Sequence, residues 1–416
     1  MPTLKHLVKY FHENKTVQKP IYFLCLMILF WSIYDGAMSF LAPIVITNSG
    51  LTATMMGIVI GTSSIAGALF DFFVCRVFKN THYRKVFMIM FACCLIYPVI
   101  LFKANTFAIY VLAMAIWGVY FDLKNIGNFD YVGRFTQKAK HSDSFGLVQV
   151  FLSLGYLIAP IMVGAIIAET LDWKPFALAW IFLVISILFF GLLILFTHKE
   201  PTVSVDERKE RKRSTWSEAK LWGQIGKILF PVLLLTLFLN LIDAFFWTVG
   251  PLFAESMQGM EKFAGFFMTA YSLPALLVGW FVGYFTRKFG KRRTAALTLL
   301  IGSIIMSLIY FAHAPIMIML TIFCASLFIS MSWPAINGAY ADYISEASIY
   351  EEEIAGLEDF YTNIGYVIGP MSAGFLADRL GNGGTFSVLG ICGVILAFYL
   401  LLHSKKHINV VKELKS

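Results

Sequence analysis

The sequence predicts an all-α integral membrane protein with twelve transmembrane helices in two related six-helix halves. The first observation behind this prediction is the composition: hydrophobic residues make up 58% of the 416 residues, charged residues make up 14%, and the mean hydropathy is +0.74. Soluble globular domains are less hydrophobic and carry about 25% charged residues. The other two observations are the number of apolar segments and an internal repeat.

Twelve segments are long enough and apolar enough to cross a membrane, which takes about 20 residues of helix. Several contain Gly and Pro, which membrane helices tolerate where neighbouring helices satisfy the backbone. The segments are residues 20–46, 51–78, 84–103, 106–133, 144–168, 175–197, 226–254, 262–286, 292–311, 314–342, 354–378 and 384–403.

An internal repeat relates the two halves. Residues 146–164 (GLVQVFLSLGYLIAPIMVG) match residues 356–374 (GLEDFYTNIGYVIGPMSAG) without a gap, with seven identities in nineteen positions. Two copies of one unit in a membrane sequence indicate a transporter with its site at the seam between the copies. Earlier pairs align at a similar offset: Ser32 with Asn240, Asp35 with Asp243, Pro43 with Pro251, Gly57 with Gly265, and Ser64 with Ser272.

The repeat and the polar segment between its copies predict three parts of the chain. They are an N-terminal half at residues 1–197, a cytoplasmic linker at 198–224, and a C-terminal half with a cytoplasmic tail at 225–416. Thr215 and Glu218 have the spacing of a helix capping box, so the latter part of the linker is either a short helix on the membrane surface or a flexible solvated segment.

Basic residues lie mainly on one side of the predicted bundle. With a cytoplasmic N-terminus, 27 of the 33 Lys and Arg residues fall in cytoplasmic segments. The positive-inside rule therefore places both termini in the cytoplasm. The net charge of +8 reflects this topology, and the sequence predicts no nucleic-acid partner.

The sequence contains no signature of catalysis or of a bound cofactor. It has no Gly-x-x-x-x-Gly-Lys-Ser/Thr loop for nucleotide phosphates, no cluster with metal-ligand spacing and no nucleophile elbow. We therefore predict that the protein is not an enzyme, that it holds no cofactor or metal, and that ATP does not drive it directly.

The arrangement of twelve helices in two halves, with one long polar connection between them, resembles the major facilitator superfamily. Gly155 and Pro160 resemble the glycine- and proline-rich motif of that family's fifth helix, and Gly365 and Pro370 repeat the motif in the eleventh helix. The resemblance covers nearly the whole chain. It implies a central cavity lined by helices one, four, seven and ten.

Two other family motifs agree only in part. Gly67 and Asp71 resemble the Gly-x-x-x-Asp motif that follows the second helix, whereas Arg287 stands where the second half would place the aspartate. The family's drug/proton antiporters carry Arg-x-x-Gln-Gly in the fourth helix. Aligned on the glycine, this chain has Met114 for the arginine and Trp117 for the glutamine, which weighs against that subfamily.

Each half places one aspartate inside its first apolar segment. A charge at the bilayer centre costs about 3 kcal/mol or more, so it must face a cavity or a partner. Asp35 shares a helix face with Ser32, and Asp243 lies near Asn240 and Trp247. The resemblance implies that both carboxylates face the cavity and bind protons or substrate. Alternatively, each aspartate caps a break in its helix or bonds to a neighbouring helix.

The fourth helix is the most polar. Asp122 and Asn125 form one polar strip, and Lys124 and Asn128 form another, because side chains three or four residues apart share a helix face. We expect one strip to face the cavity, where Lys124 would neutralise an anionic substrate or an aspartate. Alternatively, these charges pair between helices and fix their packing.

The tenth helix carries the last candidates. Trp333 and Asn337 lie on one stripe of this helix, and a transport pocket combines aromatic walls with a few polar groups. The alternative for Trp333 is a packing or interfacial role, which is common for tryptophan in membrane sequences.

These features predict a secondary active transporter that moves a small polar or amphipathic solute by alternating access, with protons coupled through Asp35, Asp243 or Asp122. We expect a monomeric, multi-pass protein of the cell membrane whose partners are a small-molecule substrate, protons and the lipid bilayer. Three alternatives stay open: a uniporter, a lipid- or drug-exporting flippase, and a receptor or scaffold without transport.

Overall fold

The protein is built from long helices. The computed structural model describes residues 20–77, 82–136, 141–167, 172–197, 215–257 and 265–403, and no β-strand occurs within these ranges. The first six helices are α1 Pro20–Asn48, α2 Ala53–Val77, α3 Tyr83–Lys103, α4 Phe107–Phe135, α5 His141–Ile167 and α6 Lys174–Phe196.

The second half begins with α7 and ends with two helices that meet at a glycine. Its elements are α7 Thr215–Glu255, α8 Gly265–Phe289, α9 Lys291–Ser307, a 3₁₀ turn Leu308–Phe311, α10 Pro315–Glu346, a 3₁₀ turn Ser348–Tyr350, and Glu351–His403. Gly381 interrupts the last element with a φ of 70° and a ψ of 172°, a conformation that glycine adopts readily. It divides the element into α11 (351–380) and α12 (382–403).

The described helices are sufficient for twelve membrane crossings. Ten helical elements are long and apolar enough to span a membrane, and α8 is an eleventh if its parts Gly265–Val278 and Phe281–Phe289, which meet at 66°, count as one span. Because Gly381 divides one of the ten, the total is the twelve that the sequence predicts. The predicted fold class is therefore confirmed, and the protein is a multi-pass membrane protein.

Helix α7 begins earlier than the sequence predicts. The apolar segment starts near residue 226, whereas the helix runs without a break from Thr215. Of the two alternatives for residues 215–224, the structure has the helix, and this helix is continuous with α7. Residues 198–214, the rest of the predicted linker, lie outside the described residues.

Two symmetric helix pairs join the halves: α2 packs on α11, and α8 packs on α5. Gly57 of α2 lies against the carbonyl oxygen of Pro370 in α11, and Gly265 of α8 lies against the carbonyl oxygen of Pro160 in α5. The two glycines are partners in the repeat, and so are the two prolines. Small residues let membrane helices approach closely, so residues matched by the repeat form the seam between the halves.

The same repeat sets the packing inside each half. Gly155 of α5 leaves room for the hydroxyl of Ser32 in α1, and Gly365 of α11 leaves room for the side chain of Asn240 in α7. These four residues are again repeat partners. The first and fifth helices of each half are therefore held together by the same contact, which fixes the position of the aspartate one turn further along.

A carboxylate closes one end of the seam. We call the end of the bundle where α1 leads into α2 the distal end, because it lies opposite the linker. There, Asp378 of α11 accepts hydrogen bonds from the backbone N–H groups of Ala53 (3.0 Å) and Thr54 (2.8 Å) and from the Thr54 hydroxyl (2.5 Å). The first turn of a helix has no internal acceptors for its N–H groups and favours an anion. Asp378 therefore caps α2 across the two halves.

Alanine at Gly57 or Gly265 should weaken the distal closure, because the added methyl group would overlap a backbone carbonyl of the other half. We expect each variant to lose about 1–3 kcal/mol of stability, as overpacked sites do. We also expect a longer distance between spin labels at Thr52 and Leu380. Gly146→Ala is the matched control, since a Cβ there meets nothing within 4 Å. Wild-type stability and label distance in both seam variants would contradict this account.

Candidate functional site

Asp35 lies buried in the middle of α1, and its carboxylate accepts three hydrogen bonds. Its side chain is 1% exposed. Oδ1 accepts from Trp117 Nε1 (2.9 Å) and from the Tyr120 hydroxyl (2.6 Å), and Oδ2 accepts from the Tyr156 hydroxyl (2.5 Å). Trp117 and Tyr120 are three residues apart on α4, and Tyr156 lies on α5. Asp35 therefore links α1 to both of these helices.

Asp243 is the counterpart of Asp35 in α7. Its Oδ1 accepts from the Tyr271 hydroxyl of α8 (2.6 Å), and its Oδ2 accepts from the Tyr366 hydroxyl of α11 (2.7 Å). Asp243 is only partly buried. The side chain of Trp247 is a further hydrogen-bond partner of Asp243. Tyr271 comes from α8, whereas Trp117 and Tyr120 reach Asp35 from the fourth helix of its half.

The two carboxylates belong to one cluster that crosses the seam. Tyr156 and Tyr366 are identical positions of the repeat, and each donates to the aspartate of its own half. The ring of Tyr156 also meets Trp247, one turn after Asp243 on α7, with centroids 5.6 Å apart and planes at 64°. We call this group the central cluster: Asp35, Trp117, Tyr120, Tyr156, Asp243, Trp247, Tyr271 and Tyr366.

The sequence identifies the carboxylates of the central cluster but not their donors. Tyr156 and Tyr366 carried a signal, since the repeat preserves both, yet their role was not foreseen. Trp117 was noted only as the residue that replaces a family glutamine. Tyr271 had no signal at all, because its repeat position in the first half is Ser63.

Lys124 lies one turn along α4 from Tyr120 and is 3% exposed. Its Nζ donates to Asn125 Oδ1 (2.6 Å) and lies 4.1 Å from the centroid of the Phe121 ring and 5.2 Å from that of Trp31. The ammonium acts electrostatically on Asp35 and Asp122. Within the described part of the chain, no carboxylate lies within 4 Å of Nζ.

The two polar strips predicted for α4 face different neighbours. Asp122 lies against Gly67 of α2, where a Cβ would overlap its carboxylate, so Gly67 makes room for this charge. Lys124 and Asn128 fall within about 20° of Trp117 on the helix, at 100° per residue. That face is directed towards Asp35, because the indole of Trp117 donates to it.

The remaining polar candidates lie outside the central cluster. Asn240 is buried, and its amide donates to Thr236 O (2.8 Å) and to Thr362 Oγ1 of α11 (3.2 Å), so it joins α7 to α11. Trp333 of α10 is partly buried and Asn337 is exposed. Neither donates a described hydrogen bond to Asp35 or Asp243.

The motif residues serve the scaffold where the structure describes them. Gly155, Pro160, Gly365 and Pro370 form the packing and seam contacts given above. Arg287 is exposed near the end of α8. Asp71 lies in α2, but its side chain is outside the described part of the structure.

The structure also has a surface pocket, which lies away from the central cluster. Its volume is about 510 Å³, and it opens between α7 and α11, lined among others by Trp222, Lys227 and Phe360. At 1.5 Å per residue, Phe230, which also lines it, lies about 20 Å along α7 from Asp243. The pocket is thus separate from the central cluster. Among the residues that the structure describes, no group of three or more His, Cys, Asp or Glu side chains is placed to hold a metal ion.

The sequence profile of the Major Facilitator Superfamily matches residues 22–350 and 232–415, nearly the whole chain. The chain belongs to the major facilitator superfamily. The resemblance drawn from the motifs is therefore confirmed, and the protein is a secondary transporter of small molecules by its family. Transporters of this superfamily are generally not enzymes.

Curated relatives in the superfamily are distant. The chain is 22% identical over 381 residues to the quinolone resistance protein NorA of Staphylococcus aureus strain MSSA476, covering 89% of this chain and 92% of that protein. It is 25% identical over 255 residues to multidrug resistance protein 2 of Bacillus subtilis strain 168, covering 60% of this chain and 61% of that protein.

Solved superfamily structures share the fold. A mutant of the nucleoside transporter NupG superposes with a TM-score of 0.73 at 14% identity, over 93% of this chain and 100% of that chain. A bacterial homologue of the human lysosomal transporter Spinster, inward-facing and unoccupied, also gives 0.73 at 14% identity, over 95% and 97% of the two chains. At this identity the match shows the architecture alone.

Removing the Tyr156 hydroxyl should destabilise the protein, because a buried carboxylate oxygen loses its donor. We expect Tyr156→Phe to lower the free energy of unfolding by about 1–3 kcal/mol. Tyr97→Phe is the matched control. Tyr97 is a buried tyrosine beside Tyr120, and the Tyr97 hydroxyl has no hydrogen-bond partner in the described part of the chain. Denaturant unfolding of the purified variants measures the free energy of unfolding of each. Equal losses in the two variants would show that the hydrogen bond to Asp35 contributes little.

Proposed function

We propose that the protein is a proton-coupled secondary active transporter that moves a small polar or amphipathic organic solute by alternating access, with its site at the central cluster. The observation that carries this proposal is the pair of intramembrane carboxylates, one from each half, joined through Tyr156 and Trp247. In alternating access the two halves rock about a fixed site, so the site must contain groups from both. The central cluster meets that requirement.

Both carboxylates are suited to exchange protons. Intramembrane carboxylates are costly and mark proton or substrate pathways in transporters. Asp35 faces neutral donors on α4 and α5 with Lys124 nearby, whereas Asp243 faces the hydroxyls of Tyr271 and Tyr366. We assign the coupling proton to Asp35 and a substrate contact to Asp243, since Asp243 is less buried and lies beside the Trp247 ring.

The relatives support an organic solute. The names of the two curated relatives refer to quinolone resistance and to multidrug resistance. The aromatic rings of the central cluster offer apolar walls to a solute of this kind. The fourth helix differs from the antiporter motif, because the position of the motif's glutamine is occupied by Trp117, which here donates to Asp35.

The localisation, the orientation of the termini and the oligomeric state of the protein are also proposals. We propose that it resides in the cell membrane with both termini in the cytoplasm, from the distribution of basic residues. We also propose that it acts as a monomer, because one chain supplies both halves of the central cluster. The halves at 1–197 and 225–416 remain predicted boundaries.

Asp35→Asn should abolish pH-driven accumulation of a fluorescent quinolone in proteoliposomes while sparing exchange across the membrane, because exchange needs no net proton movement. Asp243→Asn should weaken substrate binding, while the transport that remains should still be coupled to protons. Asp172→Asn, a partly buried carboxylate before α6 that pairs with Lys174 outside the central cluster, is the control and should behave as wild type. Full pH-driven accumulation in the Asp35→Asn, Asp243→Asn double variant would exclude both carboxylates from coupling.

A further inference from the structure

Lys124 is a buried cation that uses only part of its hydrogen-bonding capacity. A lysine ammonium has three donors and no acceptor. Here, one donor is taken by the neutral amide oxygen of Asn125, and the rings of Phe121 and Trp31 cover the rest of the charge. Buried cations are almost always paired, so an ammonium held by one amide and two rings has capacity for an anion.

A second buried group on the same helix face is also incomplete. Asn128 is 7% exposed, and its Oδ1 has no hydrogen-bond partner among the residues that the structure describes. It lies one turn from Lys124, on the face that Trp117 directs towards Asp35. Unpaired polar atoms are uncommon in a protein interior, and a donor on a ligand bound beside Lys124 would satisfy this one.

We propose that Lys124 and Asn128 form a subsite for an anionic group of the transported solute, which is therefore an organic acid or a zwitterion with an apolar body. The inference rests on the proposed function and names its substrate class. The anion takes the free donors of Lys124, and a donor on the solute meets Asn128 Oδ1. The rings of Phe121 and Trp31 line the place where the apolar body begins.

The subsite adjoins the accessible surface. Phe121 and Asn125 are both partly exposed, and both contact the ammonium directly. A solute therefore has to displace only a ring contact and one amide to reach Nζ. Charge-assisted hydrogen bonds to a carboxylate are stronger than either of these contacts.

An anion at this subsite would compete with Asp35 for the positive charge of Lys124. When the anion binds, Asp35 loses part of its compensation and takes up a proton more readily. By linkage, protonation of Asp35 strengthens anion binding to the same degree. The other titratable groups that face Asp35 are the hydroxyls and the thiol of Tyr34, Cys94, Tyr97, Tyr120 and Tyr156.

The test compares carboxylic acids with their neutral esters, which keep the same apolar body. Two pairs serve as probes: naphthoate with its methyl ester, and a quinolone carboxylic acid with its ethyl ester. Binding to purified full-length protein is measured by thermal shift and by titration, for both pairs at a mildly alkaline pH and for the naphthoate pair also at a mildly acidic pH, where naphthoate stays ionised. We expect each acid to bind at least about tenfold tighter than its ester, as one charged hydrogen bond suffices for that difference.

Variants locate the effect. Lys124→Gln should remove the preference for the acid, and Lys124→Arg should keep it. Lys227→Gln, an exposed lysine of α7, is the control and should keep it too. Acid binding should tighten at the lower pH in wild type and lose that dependence in Asp35→Asn. The wild-type comparison of acid with ester stands even if Lys124→Gln does not fold.

The outcomes separate the subsite from transport coupling. Esters that bind as tightly as the acids, an acid preference that survives in Lys124→Gln, or no binding of either acid would overturn the subsite. If the protein binds the acids more tightly than the esters but shows no pH-driven transport, the subsite is supported and the proposed proton coupling is contradicted. A third outcome concerns lipids. If phosphatidylglycerol stabilises the protein, phosphatidylcholine does not, and Lys124→Gln removes this difference, then the subsite binds an anion but the anionic group belongs to a lipid.

Discussion

A carboxylate inside a membrane helix must be given hydrogen-bond donors, because the hydrocarbon around it offers none and the isolated charge is expensive. This constraint organises the centre of the protein. Asp35 draws Trp117, Tyr120 and Tyr156 to α1, and Asp243 draws Tyr271 and Tyr366 to α7. Each donor is an aromatic side chain, so the same residues that satisfy the carboxylates also build apolar walls. The solute that we propose, with a polar group and an apolar body, would find both kinds of surface in one place.

The repeat determines where these donors meet. Gly155 and Gly365 let the fifth helix of each half approach its first helix, which brings Tyr156 and Tyr366 to the two aspartates. Gly57 and Gly265 then let the halves approach each other along α2 with α11 and along α8 with α5. The glycines have no chemistry of their own in the site. They set the helix spacing that allows hydroxyl groups to reach buried carboxylates.

The sequence was sufficient for the fold and for the two carboxylates around which the candidate site is built. Composition, apolar segments and the repeat predicted the helix number, and the unusual charges pointed to Asp35 and Asp243. The donors were missed because they lie far away in sequence: Trp117 and Tyr156 are 82 and 121 residues from Asp35. Helix periodicity relates only neighbours within a few turns. The early start of α7 was missed for another reason, since polar residues continue a helix without adding to an apolar segment.

The most direct test of the account is whether the carboxylates of the central cluster change protonation in the folded protein. Infrared difference spectra of purified protein between acidic and alkaline pH report the C=O stretch of a protonated carboxyl group. We expect a component of this band from the two buried carboxyl groups in wild type and in Asp172→Asn, which is reduced in Asp35→Asn and lost in the Asp35→Asn, Asp243→Asn double variant. An unchanged band in the folded double variant would contradict the account, because the titrating carboxyl would then lie outside the central cluster.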